Sequence, residues 1–168
     1  MDYPFPRESI DLVRKICSYI CVGNNDYAVA FDVKSYENLP PKYAKYASAL
    51  EKMRGMTRNL LDKKSIEYLR MLPRETEFCI EGVSFYLNHT VPNLSLSYFL
   101  DPQLPQEEVE NLYKDIQADI IITGHTHAAY VRELNNRILI NPGSVGQPRD
   151  GDPRASLALF DTSIKFPN

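Results

Sequence analysis

The ten residues Ala118-Asp-Ile-Ile-Ile-Thr-Gly-His-Thr-His127 decide which fold this sequence can adopt. Three consecutive isoleucines precede Gly124, and β-branched residues of this kind favour strands. The pattern predicts a buried strand, Asp119–Thr123, that runs into His125 and His127. Side chains alternate along a regular strand, so we expect both imidazoles on one face, where they can reach one site. Paired imidazoles indicate a metal site, with a surface turn carrying two solvated histidines as the alternative.

The sequence after this strand predicts a second set of polar groups at the same sheet edge. Asn135-Asn136 predict a turn between strands Tyr130–Leu134 and Arg137–Asn141. The run Asn141-Pro-Gly-Ser-Val-Gly-Gln-Pro-Arg-Asp-Gly-Asp-Pro-Arg-Ala-Ser156 follows, and its glycines and prolines predict successive turns. Two strands that bring polar groups to one edge of a sheet are how α/β enzymes build sites. Arg149 can face a phosphate there, although a rigid supporting loop or a subunit contact is the simpler interpretation.

Helices and strands are both expected along the remaining chain, which indicates an α/β protein. The stripe of Ile10, Val13 and Ile16 is interpreted as the buried face of a first helix. A later stripe that contains Met53 and Met56 is interpreted as core packing. The predicted elements are a helix from Arg7 or Glu8, a strand Ser18–Val22, a helical region from Pro40 to about Leu60, a helix from Asp62 or Ser65 to Leu72, a hairpin of Thr76–Ile80 and Val83–Asn88, a loop 90–105, a helix Gln106–Ile116 and a last strand Ser156–Asp161.

A second candidate site lies near the start of the chain. The predicted strand Ser18–Val22 ends at Gly23 and is followed by three polar side chains, those of Asn24, Asn25 and Asp26. Such a release of polar groups at a strand end is typical of a functional site. A plain Asx turn is the alternative interpretation.

All three histidines of the chain follow predicted strands. His89 comes directly after a hairpin strand, where a lone histidine is usually a satisfied polar group, and His125 and His127 come after the isoleucine strand. Together with Asn24 they form a set of neutral nitrogen and oxygen ligands. Such a set leaves the charge of a divalent ion uncompensated, which lowers its affinity. The only acid in these motifs is Asp26, so the pattern is short of carboxylates.

Length and composition indicate one soluble globular domain, residues 1–168, with a helical flanking region at about 35–73. The net charge of −3 argues against a broad nucleic-acid-binding face. No apolar run approaches the roughly 20 residues that span a bilayer, and no signal peptide is present, so we expect a cytoplasmic protein with no membrane contact. Cys17, Cys21 and Cys79 are expected to be reduced, mostly buried thiols rather than a zinc site.

Four motifs, in this order, resemble the calcineurin-like metallophosphoesterase superfamily. They are Gly23-Asn24-x-Asp26, His89 after a strand, Gly124-His125-Thr126-His127 and Asn141-Pro-Gly-Ser-Val-Gly146. The last run, continued as far as Ser156, is similar to that of the small single-domain prokaryotic phosphodiesterases of this superfamily. A lone Gly-His-Thr-His is a weak signal, whereas the order and strand-end placement of four motifs involve nearly the whole chain.

The resemblance implies an αββα sandwich with two metal ions at the strand ends, and hydrolysis of phosphate esters by a metal-bridging hydroxide. It implies four metal ligands in this chain, Asn24, His89 and His125 for one ion and His127 for the other. Asn25 stands where the family has a histidine that contacts phosphate and helps the leaving group, and Asp26 is expected to orient that residue. Manganese, zinc, iron, nickel and magnesium are all compatible with this ligand set.

The chain departs from the family pattern in two ways. The family opens with a strand carrying D-x-H, a helix and a second strand ending in GD, so the sandwich is expected to be incomplete at the N-terminus and to lack those ligands. Asp2 lies in a segment similar to the loop after the GD and is not expected to replace the bridging aspartate. Asn25 can hydrogen-bond a phosphate but cannot donate a proton, and losing general-acid help costs about 10²- to 10⁴-fold in rate.

These expectations favour a metal-dependent phosphoesterase that acts on a small phosphate ester and is impaired in this chain. One alternative is a non-catalytic member that acts as a binding or interaction module, as the retromer subunit of the superfamily does. Another is a fragment of a longer phosphodiesterase. Without the first strand, neighbouring strands would expose unpaired backbone groups. We therefore expect a homo-oligomer, or an exchange of strands between copies, that covers the sheet.

Overall fold

A computed structural model describes residues 5–33 and 46–163 of the chain. Its contacts separate two compact units, Met1–Pro73 and Arg74–Asn168. The described part of the first unit is helical. Its helices are α1 (Pro6–Ile16), α2 (Asn24–Phe31), α3 (Ala47–Leu60) and α4 (Lys63–Met71).

Local sequence signals set the helix ends of the first unit. Pro6 begins α1, where the N–H that proline lacks would have no helical partner in any case. Asp62 caps α4 by accepting a 2.8 Å hydrogen bond from the Ser65 amide, which confirms the predicted cap. The predicted helix start at Pro40-Pro41 lies outside the described residues.

The core of this unit differs from the predicted apolar stripes. A cluster of buried side chains forms it: Ile10, Val29, Ala30, Ile66 and Leu69. In α1, Ile10 is buried as predicted, but Ile16 is exposed. In α3, Met53 and Met56 are exposed and Arg54 is buried, so the interpretation of the methionine stripe as core is wrong. A polar contact accounts for this rotation of α3, because Nη2 of Arg54 donates to Oδ1 of Asn25 in α2 at 2.6 Å.

The predicted strand Ser18–Val22 is not formed. No strand pairs with these residues in the described ranges, and a strand needs a neighbour for its N–H and C=O groups. The amide of Val22 instead donates to the carbonyl of Pro73 at 2.8 Å. Asn24 begins helix α2 rather than a turn, and the carboxylate of Asp26 accepts the backbone amide that precedes this helix at 3.2 Å.

The second unit contains a mixed sheet. Its strands are β1 (Glu75–Ile80), β2 (Val83–Asn88), β3 (Ile120–Ile122), β4 (Ala129–Leu134) and β5 (Arg137–Pro142). They stand in the order β1-β2-β3-β5-β4, with β3 parallel to both neighbours and the two outer pairs antiparallel. Helix α5 (Gln106–Leu112) precedes β3 and is shorter than predicted. The sheet and its helices confirm the α/β class, and no helix in the described ranges is long and apolar enough to cross a bilayer.

Two tight hairpins supply the outer strands of the sheet, as predicted. Both residues of Glu81-Gly82 and both of Asn135-Asn136 have positive φ, which two-residue hairpin turns require. The predicted last strand, Ser156–Asp161, is wrong, because these residues pair with no strand in the described part of the chain. Its alternate leucines, Leu157 and Leu159, are exposed rather than turned to a core.

The isoleucine strand lies at the centre of the sheet, so its predicted burial is confirmed. Ile120 and Ile121 are 1% and 0% exposed. Side chains from the sheet, from α5 and from the loops between them form one core on this unit: Tyr86, Val91, Leu100, Val109, Tyr113, Ala118, Ile121, Leu134 and Leu139.

The three cysteines carry free thiols. Burial raises the pKa of Cys21 to about 12, and the charge of Asp26 adds to the effect, so this thiol stays protonated and unreactive. Cys17 and Cys79 are exposed, so the prediction of mostly buried thiols is wrong.

We expect Gly143→Ala to destabilise the chain more than Gly82→Ala does. Both glycines have left-handed φ, +81° and +84°, where alanine costs about 1 kcal/mol. A Cβ on Gly143 would also lie 2.8 Å from the Cβ of Ser156, whereas one on Gly82 would meet nothing within 4 Å. Urea unfolding should therefore show a further loss of about 1–3 kcal/mol for Gly143→Ala. Adding Ser156→Gly should recover part of that loss, and equal losses in the two alanine variants would contradict the expectation.

Candidate functional site

One edge of the sheet collects the histidines of the second unit. Strands β2 and β3 run parallel, so their carboxyl ends meet at the same edge. His89 directly follows β2, and His125 follows β3 after two intervening residues. The Gly124 amide donates to the His89 carbonyl at 3.1 Å, which ties the two segments together.

His89 and His125 face each other across this edge. Nδ1 of His125 lies 3.2 Å from Nε2 of His89. The rings meet edge to face, with centroids 5.1 Å apart, and the ring of Phe99 lies 6.5 Å from that of His125. The fold therefore brings two imidazole nitrogens, from positions 36 residues apart in the sequence, to one point.

The Gly-His-Thr-His segment is a strained loop rather than an extension of the strand. Strand β3 ends at Ile122, and His125 and His127 adopt left-handed φ angles of 65° and 61°. A residue other than glycine pays on the order of 1 kcal/mol in this conformation. The predicted alternation of a regular strand is therefore wrong for these two residues. Nδ1 of His127 lies 2.7 Å from the carbonyl oxygen of Gln147.

Asn141 holds this loop, a role that the sequence patterns did not reveal. Its side chain is 1% exposed and donates from Nδ2 to the Gly124 carbonyl at 2.8 Å and to Oγ1 of Thr126 at 3.0 Å. Its Oδ1 accepts the Gly143 amide at 3.0 Å. The signal available in the sequence was an asparagine at the end of a strand, directly before Pro-Gly.

Both facing imidazoles are neutral at physiological pH. Burial is the largest cause that lowers the pKa of His89 to about 3, and repulsion between its protonated ring and those of His125 and His127 contributes to the same shift. Burial likewise lowers the pKa of His125 to about 4, assisted by His127 and by the guanidinium of Arg149. A neutral imidazole keeps a lone pair that can bind a metal ion.

The facing pair fits the nitrogen part of a metal centre. Two neighbouring nitrogens that each lie about 2.0–2.1 Å from one ion are about 2.8–3.4 Å apart in tetrahedral or octahedral geometry. The separation between His89 and His125 is 3.2 Å. Within residues 5–33 and 46–163, no group of three or more His, Cys, Asp or Glu side chains is placed to hold an ion. His89 and His125 thus supply an imidazole pair at this edge of the sheet.

Arg149 lies beside the histidine loop. Its backbone amide donates to the His127 carbonyl at 2.9 Å, and its Nη2 donates to Oε1 of Gln147 at 2.9 Å. The side chain is exposed, and its positive charge reaches far enough to lower the pKa of His125. The placement is compatible with the predicted phosphate contact, which stays a prediction.

A cavity of about 220 Å³ borders His89. Its walls combine the apolar side chains of Val91 and Leu94 with polar Asn88 and Thr90. Asn88 is 5% exposed, and its Oδ1 has no hydrogen-bond partner within the described residues. A buried acceptor of this kind is usually satisfied by water or by a ligand. The cavity therefore offers room for a small group beside the imidazole pair.

The other predicted site residues belong to the helical unit. Asn24, Asn25 and Asp26 form the first turn of α2, and the carboxylate of Asp26 caps it. Oδ1 of Asn25 accepts a hydrogen bond from Arg54, which is 7% exposed. Arg54 was missed because a buried arginine inside a helix has no signature in the sequence.

Comparison with known families settles the ancestry of the chain. A sequence model of the calcineurin-like phosphoesterase superfamily domain matches residues 6–165. The chain belongs to this superfamily. The resemblance carried by the four motifs is thereby confirmed, and membership in the calcineurin-like phosphoesterase superfamily makes a phosphoesterase-type function and the use of divalent metals the expectation for its site.

Individual relatives agree with this assignment. An uncharacterized protein of Methanocaldococcus jannaschii is 29% identical over 173 residues, which cover 93% of this chain and 65% of that protein. A probable metallophosphoesterase of Methanothermobacter thermautotrophicus is 37% identical over 60 residues, 36% of this chain and 35% of that protein. The chain therefore spans less than two thirds of the length of these two relatives.

Two solved structures show the same fold. A metallophosphoesterase from Sphaerobacter thermophilus aligns with a TM-score of 0.65 and 27% identity, over 94% of this chain and 67% of that one. A hypothetical protein from Pyrococcus horikoshii aligns with a TM-score of 0.70 and 20% identity, over 86% of this chain and 60% of that one. The latter likeness shows the fold alone.

Proposed function

We propose that this chain is a metal-dependent phosphoesterase whose histidine edge holds a divalent ion. The observation that carries the proposal is the neutral, facing pair of His89 and His125, with its nitrogens 3.2 Å apart. Both imidazoles are neutral at physiological pH, so each keeps a lone pair that a metal ion can use. Family membership supplies the reaction class.

His127 and Arg149 complete the polar edge around this pair. A divalent ion, when bound, supplies Lewis-acid stabilisation and lowers the pKa of water. His89 and His125 would hold it, and the resemblance assigns Asn24 as a further ligand of this ion and His127 to a second ion. The Arg149 guanidinium, next to His127, is suited to a phosphate oxygen. The metal can be Mn²⁺, Zn²⁺, Fe²⁺, Ni²⁺ or Mg²⁺.

The substrate we propose is a small phosphate ester. The cavity beside His89, about 220 Å³, has room for a small alcohol portion of the ester. The net charge of −3 disfavours a polynucleotide, whose phosphates favour a basic face. A cytoplasmic location, and a homo-oligomer or strand exchange that covers the sheet, complete the proposal.

Turnover is proposed to be slow. The resemblance places Asn25 where the family has a proton-donating histidine, and an amide has no proton to give at neutral pH. Loss of general-acid help lowers the rate by about 10²- to 10⁴-fold. The role assigned to Asp26, the orientation of residue 25, stays a prediction, because in α2 its carboxylate accepts a backbone amide.

One observation favours a second function, that of a non-catalytic binding module. Oδ1 of Asn25 is engaged by the buried guanidinium of Arg54 at 2.6 Å. The Asn25 amide therefore stabilises the packing of α2 against α3, in addition to any contact that it makes with a phosphate. A member with this substitution can retain metal and partner binding without turnover.

The test is Mn²⁺-dependent hydrolysis of bis-p-nitrophenyl phosphate. We expect turnover that EDTA removes and Mn²⁺ restores, slower by about 10²- to 10⁴-fold than that of the Sphaerobacter thermophilus metallophosphoesterase assayed beside it. Calorimetric titration with Mn²⁺ runs in parallel. Metal binding without turnover would favour the binding module, and absence of both would overturn the proposed function.

A further inference from the structure

We propose that Asn141 is a positioning residue that holds His125 and His127 in the conformation needed to bind a metal ion. Asn141 lies near the end of β5 and begins the Asn-Pro-Gly run, for which the site described above has no other use. The inference rests on the proposed function, since it assigns a task in the same site to a residue outside the ligand set.

The first step is the strain in the loop. His125 and His127 both have left-handed φ, and a single residue, Thr126, separates them. Non-glycine residues persist in this conformation only where the surrounding structure over-determines it. Some neighbouring group must therefore fix the backbone between and beside the two histidines.

Asn141 supplies that restraint on both sides of His125. Its Nδ2 donates to the carbonyl of Gly124, directly before His125, and to the hydroxyl of Thr126, directly after it, at 2.8 and 3.0 Å. Thr126 is 3% exposed, so water cannot replace a bond lost there. The two contacts fix the peptide units that set the direction of the His125 ring.

The restraint is rigid because Asn141 is itself anchored to the sheet. Strand β5 pairs with β3 through Ile122 and Ile140, and the Thr123 amide donates to the Ile140 carbonyl at 2.9 Å. The Oδ1 of Asn141 accepts the Gly143 amide at 3.0 Å, which fixes the side-chain amide in one orientation. The conformation of the histidine loop is therefore fixed by its contacts with the neighbouring strand β5.

The main test is Asn141→Asp, measured by Co²⁺ titration at pH 8. Aspartate keeps the size of the side chain and its acceptor for Gly143, but when ionised it cannot donate to Gly124 or Thr126. Its extra negative charge by itself favours a cation, so charge alone cannot weaken binding. We expect affinity about 10- to 100-fold below wild type, the range for loss of a group that orients a ligand. Asn111→Asp, the same change at an exposed position of α5, should leave affinity unchanged.

A second variant protects the test against simple misfolding. Thr126→Val keeps the shape and removes the hydroxyl that accepts from Asn141 at 3.0 Å and, over a longer distance of 3.4 Å, from the Ala128 amide, so we expect a two- to tenfold loss of Co²⁺ affinity. The double variant Thr126→Val/Asn141→Asp should lose less affinity than the sum of the two single losses, because both substitutions remove the same hydrogen bond between Asn141 and Thr126. Unchanged affinity in Thr126→Val and Asn141→Asp would overturn the proposal.

A metal-free measurement separates this inference from the proposed function. The ¹⁵N signals of the His125 and His127 rings, recorded with EDTA, should shift in Asn141→Asp and coincide with wild type in Asn111→Asp. If wild type binds neither Co²⁺ nor Mn²⁺ and shows no turnover, the proposed function fails, while shifted rings still support the positioning of the loop by Asn141. Rings that coincide in wild type and Asn141→Asp overturn the positioning role whatever the metal affinity is.

Discussion

His89→Ala and His125→Ala are each expected to remove Mn²⁺ binding and any Mn²⁺-dependent hydrolysis. The two nitrogens lie 3.2 Å apart, so each variant takes away half of the imidazole pair that fits one ion. Losing a group that only orients a ligand lowers metal affinity by about 10- to 100-fold. Losing a direct ligand should lower the Mn²⁺ affinity by more than that. Calorimetric titration with Mn²⁺ measures the loss, and circular dichroism verifies that the sheet is retained.

Two further variants make this expectation specific. The double variant His89→Ala/His125→Ala should be no worse than either single one, because the remaining imidazole cannot hold the ion alone. His127→Ala is the matched control on the same loop, and its effect on this ion should be smaller, since the resemblance assigns His127 to the other ion. Wild-type Mn²⁺ affinity in His89→Ala would refute the assignment of the pair as ligands.

The metal-free protein is expected to lose stability steeply as the pH falls below about 6.5. An unfolded histidine titrates near 6.5, whereas burial lowers the folded pKa of His125 to about 4 and that of His89 to about 3. Between these values the unfolded chain binds protons that the folded chain does not. Stability is therefore complete above pH 6.5 and falls by up to about 1.4 kcal/mol per pH unit for each histidine.

Urea unfolding in EDTA at pH 7.0, 6.0 and 5.0 measures this slope. Carboxylates begin to titrate at the lower end of the range, so the comparison is made with His89→Gln/His125→Gln, in which the two buried histidines are absent. The double variant should lose much less stability between pH 7.0 and 5.0 than wild type. Parallel curves for the two proteins would show that the imidazoles do not control the acid sensitivity.

Local signals in the sequence predicted most of the sheet. The isoleucine triplet gave a buried central strand, and Asn135-Asn136 and Glu81-Gly82 gave the hairpin turns, because each depends on neighbouring residues alone. The strand expected at Ser18–Val22 failed because a strand also needs a partner, which local sequence does not show. The prediction that the methionine stripe of α3 is buried was wrong, because Arg54 is buried instead and donates to Asn25. Hydrophobic periodicity contains no information about such a polar contact.

The candidate site was predictable in composition but not in geometry. Placement after strands was enough to select His89 and His125, since parallel strands share an edge. The left-handed turns at His125 and His127 could not be read from the sequence, because residues other than glycine seldom adopt them. Asn141 was missed for a related reason, since its role can be recognised only when the conformation of the loop that it restrains is known.

The pairing order of the sheet also determines how it can assemble. Each outer pair of strands, β1 with β2 and β4 with β5, closes through a turn of two residues, so both hairpins can form early and independently. Only the three residues of β3 join them, through parallel pairings that require closure of much longer stretches of chain. Insertion of Ile120–Ile122 is thus the step that unites the sheet. Because His125 follows this strand, it meets His89 only when the last part of the sheet is in place.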